Sequence, residues 1–424
     1  MKSLPILFSL STEKTRLIKN FLALSVLQGA NYLLPLITFP YLVRVLGMEY
    51  FGLLSFATAV ISYFNIVVSY GFNFTATREI AVNRIDKNKV VEIFSSVVTI
   101  KLILTSISFI FLVLIVFLFE KLRADWSLYL FTFGTVIGQA LLPVWFFQGM
   151  ERMKYITYLD LLSKVLFTLA IFIFVQRKED YYIVPVLTSI GSIGAGLISF
   201  FIINKEFDVR IRSVGIAKIR MYLIDGWDIF ISRIFSSLYK NTNVIVLGVL
   251  TNNTIVGYYS IAQRLIKAMQ AMQDVVGNTL FPFLTKKYDK NKRRFFDITR
   301  KYLILIITLY FISFIAIFLY SNQLVILVTG SKNDQIFLNL KILSFVLILG
   351  GMNYYFGILG LVTMNYKKDF SQFIIITGIV NIITSIIFVT IFQDLGASLA
   401  AVISEVVLLA LITRKILEVR RSVI

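Results

Sequence analysis

Residues 93–119 read IFSSVVTIKLILTSISFIFLVLIVFLF, 27 residues with a single charge, Lys101. An α-helix rises 1.5 Å per residue and the hydrocarbon layer of a bilayer is about 30 Å thick, so about 20 apolar residues cross it. This run is long enough to do so. Comparable runs recur near 20–43, 49–71, 126–148, 156–175, 181–203, 222–250, 255–281, 302–329, 335–360, 371–393 and 396–413 along the 424-residue chain. The expected fold class is therefore all-α: a polytopic membrane protein with about twelve transmembrane helices.

Composition agrees and removes most alternatives. Hydrophobic residues make up 58% of the chain and charged ones 15%, where soluble domains carry about 45–50% and about 25%. There is no His and no Cys, which excludes an imidazole base, a thiolate nucleophile, a disulfide, or a zinc site built from those ligands. No Gly-Lys-Ser/Thr occurs, and the glycines of GSIGAG (191–196) lie inside an apolar run, where they suit close helix packing. The longest connections, 204–221 and 286–301, are too short for a folded soluble domain. The start, MKSLPILFSL, has a short apolar run without a small-residue cleavage site after it, and reads as an interfacial lead-in. No enzymatic activity is expected, and no cofactor beyond H⁺ or Na⁺ as a coupling ion.

The formal net charge is +19, from 42 Lys+Arg against 23 Asp+Glu. With the N-terminus placed in the cytoplasm, the inner connections and termini hold 29 of the basic residues and the outer connections 6, among them Arg44. Both termini are therefore expected inside. The basic loop KKYDKNKRRFFDITRK (286–301) fits a positive-inside anchor beside anionic lipid headgroups, not a nucleic-acid patch.

Seven basic residues remain within the spans: Lys101, Lys164, Arg233, Lys240, Arg264, Lys267 and Lys341. Facing lipid, each would cost about 2.5–3.5 kcal/mol, so they must face water, protein or one another. Asp160, Asp225, Asp228, Asp274 and Glu405 are the acids at comparable depth, candidates for ion coupling and too few to neutralise the bases. Gln263, Lys267, Gln270 and Asp274 fall at i, i+4, i+7 and i+11, one polar stripe with Arg264 beside it. Arg233 and Lys240 share a face of the preceding span. Lys101 with Thr105 and Ser108 forms a weaker stripe, Asp160 and Lys164 are an i, i+4 pair, and the first span adds Gln28 and Asn31. Surplus like charge within one helix pair calls for an anion. Structural ion pairing is the alternative, strongest for Asp160 with Lys164 and for Lys341.

The chain also repeats itself. VLGMEYFGLLSFA (45–57) and VLGVLTNNTIVGYYSIA (246–262) both read V-L-G, a short linker, then an apolar residue and G-x-x-S-x-A; Gly52 and Gly257 are 205 apart, Gly71 and Gly277 206. This spacing predicts a duplicated six-span unit, with parallel halves 1–203 and 222–424 joined by a basic cytoplasmic linker, 204–221, and a cavity where the halves meet.

The stretches LPLITFPYLVRVLGMEYFGLLSFA (34–57), GFNFTATREIA (71–81), WFFQGMERMKY (145–155), the 246–262 repeat and TMNYKKDF (363–370) together resemble the Wzx-type lipid-linked oligosaccharide flippases. Those belong to the multidrug/oligosaccharidyl-lipid/polysaccharide exporter superfamily. The resemblance covers essentially the whole length. It implies two six-helix bundles around a central cationic cavity in the bacterial inner membrane, and alternating access that carries an undecaprenyl-diphosphate-linked oligosaccharide repeat unit to the outer leaflet. O-antigen or capsule assembly would follow, with a polysaccharide polymerase and chain-length proteins as candidate partners. On this reading Arg233, Lys240, Arg264 and Lys267 meet the diphosphate, Lys101 and Lys164 are further cavity candidates, and Gln28, Asn31 and Gln270 meet the sugar. A cation-coupled multidrug antiporter of the same superfamily is the alternative function.

Overall fold

The computed structural model describes residues 4–423, and side chains from residue 34 onward except 239–240, a broken set between 271 and 306, and 422–423. Every regular element among the described residues is helical. In order they are α1 (Leu4–Ser69), α2 (Phe72–Asn83), α3 (Lys87–Leu118), α4 (Glu120–Arg123), α5 (Trp126–Leu141), α6 (Val144–Gly149), α7 (Lys154–Phe174), α8 (Ile183–Phe207), α9 (Ile216–Leu250), α10 (Asn253–Lys290), α11 (Lys292–Thr329), α12 (Asp334–Asn353) and α13 (Lys367–Val423). A 3₁₀ turn, Lys178–Tyr182, precedes α8, and a π-helical segment, Tyr354–Val362, continues α12.

Two of the long helices are bent pairs. Gly47, at φ 75°, interrupts α1, and Gln393, at φ 53°, interrupts α13. At Gly47 the left-handed backbone suits the one residue without a Cβ. Starts are capped where the sequence supplies an acceptor: Asp86 takes the amide of Lys89 at 3.1 Å, Asn252 that of Ile255 at 3.0 Å and Asn333 that of Ile336 at 3.0 Å.

Eight stretches among the described residues are long and apolar enough to cross a membrane. Their burial is inverted relative to a soluble helix. On α3, Lys101, Thr105, Ser108, Leu112 and Val116 are buried on one stripe while Leu102, Ile103, Ile107, Ile110, Phe111 and Leu114 are exposed. An outward apolar face of that length is stable only against hydrocarbon, and the protein is multi-pass.

The chain packs as two compact units, Met1–Thr38 with Val60–Arg233, and Phe39–Ala59 with Ile234–Ile424. The first has an aromatic core in which Phe94 meets Trp145, Phe146 and Phe200 at centroid separations of 5.9, 5.4 and 5.7 Å. Its basic ends are tied by pairs such as Arg84 with Glu151 at 2.8 Å and Lys218 with Glu92 at 3.2 Å. The second has a core of Leu284, Phe295, Tyr355, Leu359, Leu361, Leu408 and Ile412.

Candidate functional site

The second unit brings the two copies of the repeated motif against each other. A Cβ at Gly52 would collide with the Asn253 carbonyl and lie 2.6 Å from the Gly257 nitrogen, and one at Gly257 would collide with the Met48 carbonyl. Shifting Met48 by 205 positions lands on Asn253, so each copy's glycine meets the same place in the other. Gly248 likewise leaves room for the ring of Phe56. Small residues let helix backbones approach this closely in a membrane protein.

Beside this crossing Arg44 turns back onto the end of α11. Its Nε donates to the Val328 carbonyl at 3.2 Å and its Nη2 to the Leu327 carbonyl. These are carbonyls of the helix's last turn, where a cation also complements the helix dipole.

Two turns beyond Gly257, Arg264 is exposed and its guanidinium lies over two rings, 4.9 Å from the centroid of Phe51 and 5.7 Å from that of Phe39. Among the described residues it has no carboxylate and no hydrogen-bond acceptor. One turn further, Lys267 is exposed and donates to Gln263 Oε1 at 3.2 Å. Gln263 donates to the Tyr259 hydroxyl at 3.2 Å, and Asn243 of α9 donates to that hydroxyl at 3.0 Å and to the Ala397 carbonyl at 3.1 Å. The polar stripe on α10 therefore extends one turn above the expected Gln263, to the buried Tyr259, and ties α10 to α9 and α13. The i−4 position of Gln263 carried that signal. Further along α10, the Gln270 amide and the Glu405 carboxylate both face the space left by Gly350: a Cβ there would lie 3.0 Å from Gln270 Nε2 and 3.7 Å from each carboxylate oxygen. Glu405 is buried and accepts from Asn353 Nδ2 at 2.6 Å.

The cations of the first unit are placed differently. Lys101 is 3% exposed and its Nζ donates to the Gln139 carbonyl at 2.8 Å. Lys164 is paired with Asp160 at 2.5 Å. Arg233 is half-buried, and its Nη1 is buried without a hydrogen-bond partner among the described residues. Asp225 and Asp228 are exposed. Lys341, in the second unit, lies over Phe337 at 4.5 Å and Phe318 at 4.9 Å. The side chains of Gln28, Asn31, Lys240 and Asp274 lie outside the described residues.

Residues 17–288 match the family model described as polysaccharide biosynthesis protein. The chain belongs to this family. A relative from Escherichia coli (strain K12) named "Putative O-antigen transporter" is 32% identical over 396 residues, covering 93% of this chain and 95% of its own. A Shigella dysenteriae protein of the same name is 30% identical over 63% of this chain and 67% of its own. These matches bear out the resemblance to Wzx-type members of the exporter superfamily. Solved structures share the fold at low identity. The lipid II flippase MurJ in an inward closed conformation aligns with TM-score 0.68 at 14% identity over 97% of this chain and 87% of its own. An inward-facing multidrug resistance MATE family transporter of the MOP superfamily aligns with TM-score 0.66 at 13% identity over 92% and 96%.

Proposed function

We propose that this family member flips an undecaprenyl-diphosphate-linked oligosaccharide from the cytoplasmic to the outer leaflet of the bacterial inner membrane, with both termini in the cytoplasm. It moves cargo and performs no covalent chemistry. The observation that carries the reading is Arg264, exposed on a transmembrane-length helix with no acid against it among the described residues, one turn from Lys267. A diphosphate cannot cross hydrocarbon, and charge-assisted hydrogen bonds from these cations would replace its lost hydration. Arginine supplies a two-pronged fork and lysine a point charge. Arg233, whose Nη1 has no hydrogen-bond partner among the described residues, and Lys240 are further candidate bases for the diphosphate, while Gln270 with Gln28 and Asn31 would meet sugar hydroxyls. The names of the two curated relatives support the cargo class.

Two six-helix halves, 1–203 and 222–424, would rock about the site in alternating access, and the reciprocal Gly52–Gly257 crossing supports that duplication. Glu405, buried and held by Asn353, is the carboxylate best suited to bind a coupling H⁺ or Na⁺. A polymerase and chain-length proteins would take the product.

Replacing Arg264 and Lys267 together by Glu, in a strain lacking the native gene, tests the reading. Surface polysaccharide is expected to fall to the level of the deletion while the protein persists in the membrane. Normal export would overturn it, and drug sensitivity of the deletion with unaltered polysaccharide would transfer the assignment to a cation-coupled antiporter.

A further inference from the structure

We propose that Phe39 and Phe51 are positioning residues: an aromatic wall that backs the Arg264 guanidinium from one side and leaves its N–H groups to bind the two adjoining phosphates of a lipid diphosphate. The proposal rests on the cationic-site reading above and names what makes that site selective.

The two rings pack on each other as well as against the arginine. Phe39 is 3% exposed and Phe51 2%, and they contact each other at 5.5 Å between centroids with planes tilted by 50°. Phe51 is adjacent to Gly52, whose missing Cβ allows α1 to cross α10 closely, and Arg264 follows Gly257 by two helical turns. The motif repeated in the sequence thereby sets the distance between ring and guanidinium. The wall is carried by residues 39–59 and the cation by α10, so neither segment holds the arginine in register alone.

A guanidinium has two chemically different surfaces. Its faces are satisfied by π-clouds, and its five N–H groups, all in the plane, ask for oxygen acceptors. Here both rings lie on one side of the guanidinium, their centroids 4.9 and 5.7 Å from its carbon, and among the described residues no oxygen meets its N–H groups. An arginine held this way costs less to keep in a membrane than a bare one, yet stays unsatisfied in the direction that matters for an oxyanion. Lys341 shows the contrast: its ammonium also lies over two rings, but a point charge has no separate edge to aim. One phosphate takes a parallel pair of N–H bonds, and the remaining in-plane donors of the guanidinium are free for the adjoining phosphate of a diphosphate, which a monophosphate lacks. The wall is therefore expected to control preference for diphosphate over monophosphate as well as affinity.

The test uses the full-length chain in lipid nanodiscs, with farnesyl diphosphate, farnesyl monophosphate and farnesol as probes in equilibrium binding. The unaltered chain is expected to bind the diphosphate best and farnesol worst. Phe39→Leu with Phe51→Leu is expected to weaken diphosphate binding about tenfold and monophosphate binding much less, so the preference collapses; Phe51→Tyr, which keeps a ring, restores it to within about twofold. If the double variant does not fold, Phe51→Leu alone is read by the same ratio, with melting temperature as the check. Unchanged affinity and preference in the leucine variants, or an equal loss for both phosphates, overturns the positioning role and leaves the cationic site standing. Failure of the unaltered chain to prefer diphosphate over farnesol overturns the cationic site itself, and the wall with it.

Discussion

Lys101 on α3 and Arg264 on α10 are alike in sequence, each a base within an expected span, and opposite in the folded protein. Lys101 is buried and spends its charge on the Gln139 carbonyl. Arg264 is exposed, backed by two rings and without an acceptor among the described residues. Asp160 with Lys164 belongs with Lys101, a charge neutralised one turn away on its own helix. The difference teaches that a base within a membrane span is informative only once its partner is known. Where protein oxygens satisfy it, it is part of the packing. Where they do not, as at Arg264, the proposed partner is an arriving anion.

The comparison breaks most sharply at the crossing that places Phe51 near Arg264. Gly257→Leu puts a branched side chain into the Met48 backbone, and is expected to cost about 3 kcal/mol or more and to remove folded protein from the membrane. Thermal melts of the detergent-solubilised chain check this, and a normal melt would mean the helices can part there at little cost. Next in size is the contrast between the two lysines. Lys267→Met is expected to weaken farnesyl diphosphate binding about tenfold, whereas Lys101→Met, which removes a base already bonded to backbone, leaves it within about twofold. Equal losses would erase the distinction between the buried base of α3 and the exposed one of α10.

The third effect is smaller. Asp160→Asn leaves Lys164 without its carboxylate and is expected to lower stability by about 1 kcal/mol, since both side chains are partly exposed. Adding Lys164→Gln should return most of that loss, read as a double-mutant cycle on melting temperature. The least is a surface pair outside the spans. The Lys87 ammonium, 2.5 Å from Asp208, holds that carboxyl below its ordinary value of 3.8. A carboxylate lowered on folding stabilises above its unfolded value, and that contribution disappears as pH falls through the lowered one. Melts between about pH 5 and pH 3 should therefore drop slightly more for the unaltered chain than for Lys87→Met, and identical slopes would show that the pair contributes nothing.

The fold class was legible because hydrocarbon imposes it residue by residue: a run such as 93–119 can be satisfied only as a spanning helix, whatever its neighbours. The stripe on α10 was legible for the related reason that helical periodicity places Gln263, Lys267 and Gln270 on one side. Its continuation to Tyr259 is not legible there, because tyrosine reads as apolar and only the fold brings Asn243 and Gln263 to donate to its hydroxyl. The repeat at Gly52 and Gly257 was visible as spacing, while the direct crossing of its two copies was not.

Sequence by itself determined that this chain lives in a bilayer and carries more intramembrane base than acid, because composition and short-range periodicity suffice for both, while the order of its motifs carried the resemblance to the polysaccharide exporters. Only the tertiary structure decided which bases are satisfied. Hydrogen bonds and ring contacts such as those of Lys101 and Arg264 join residues 38 to 225 positions apart, and the physics of a single helix contains no term for a partner that folding has yet to deliver.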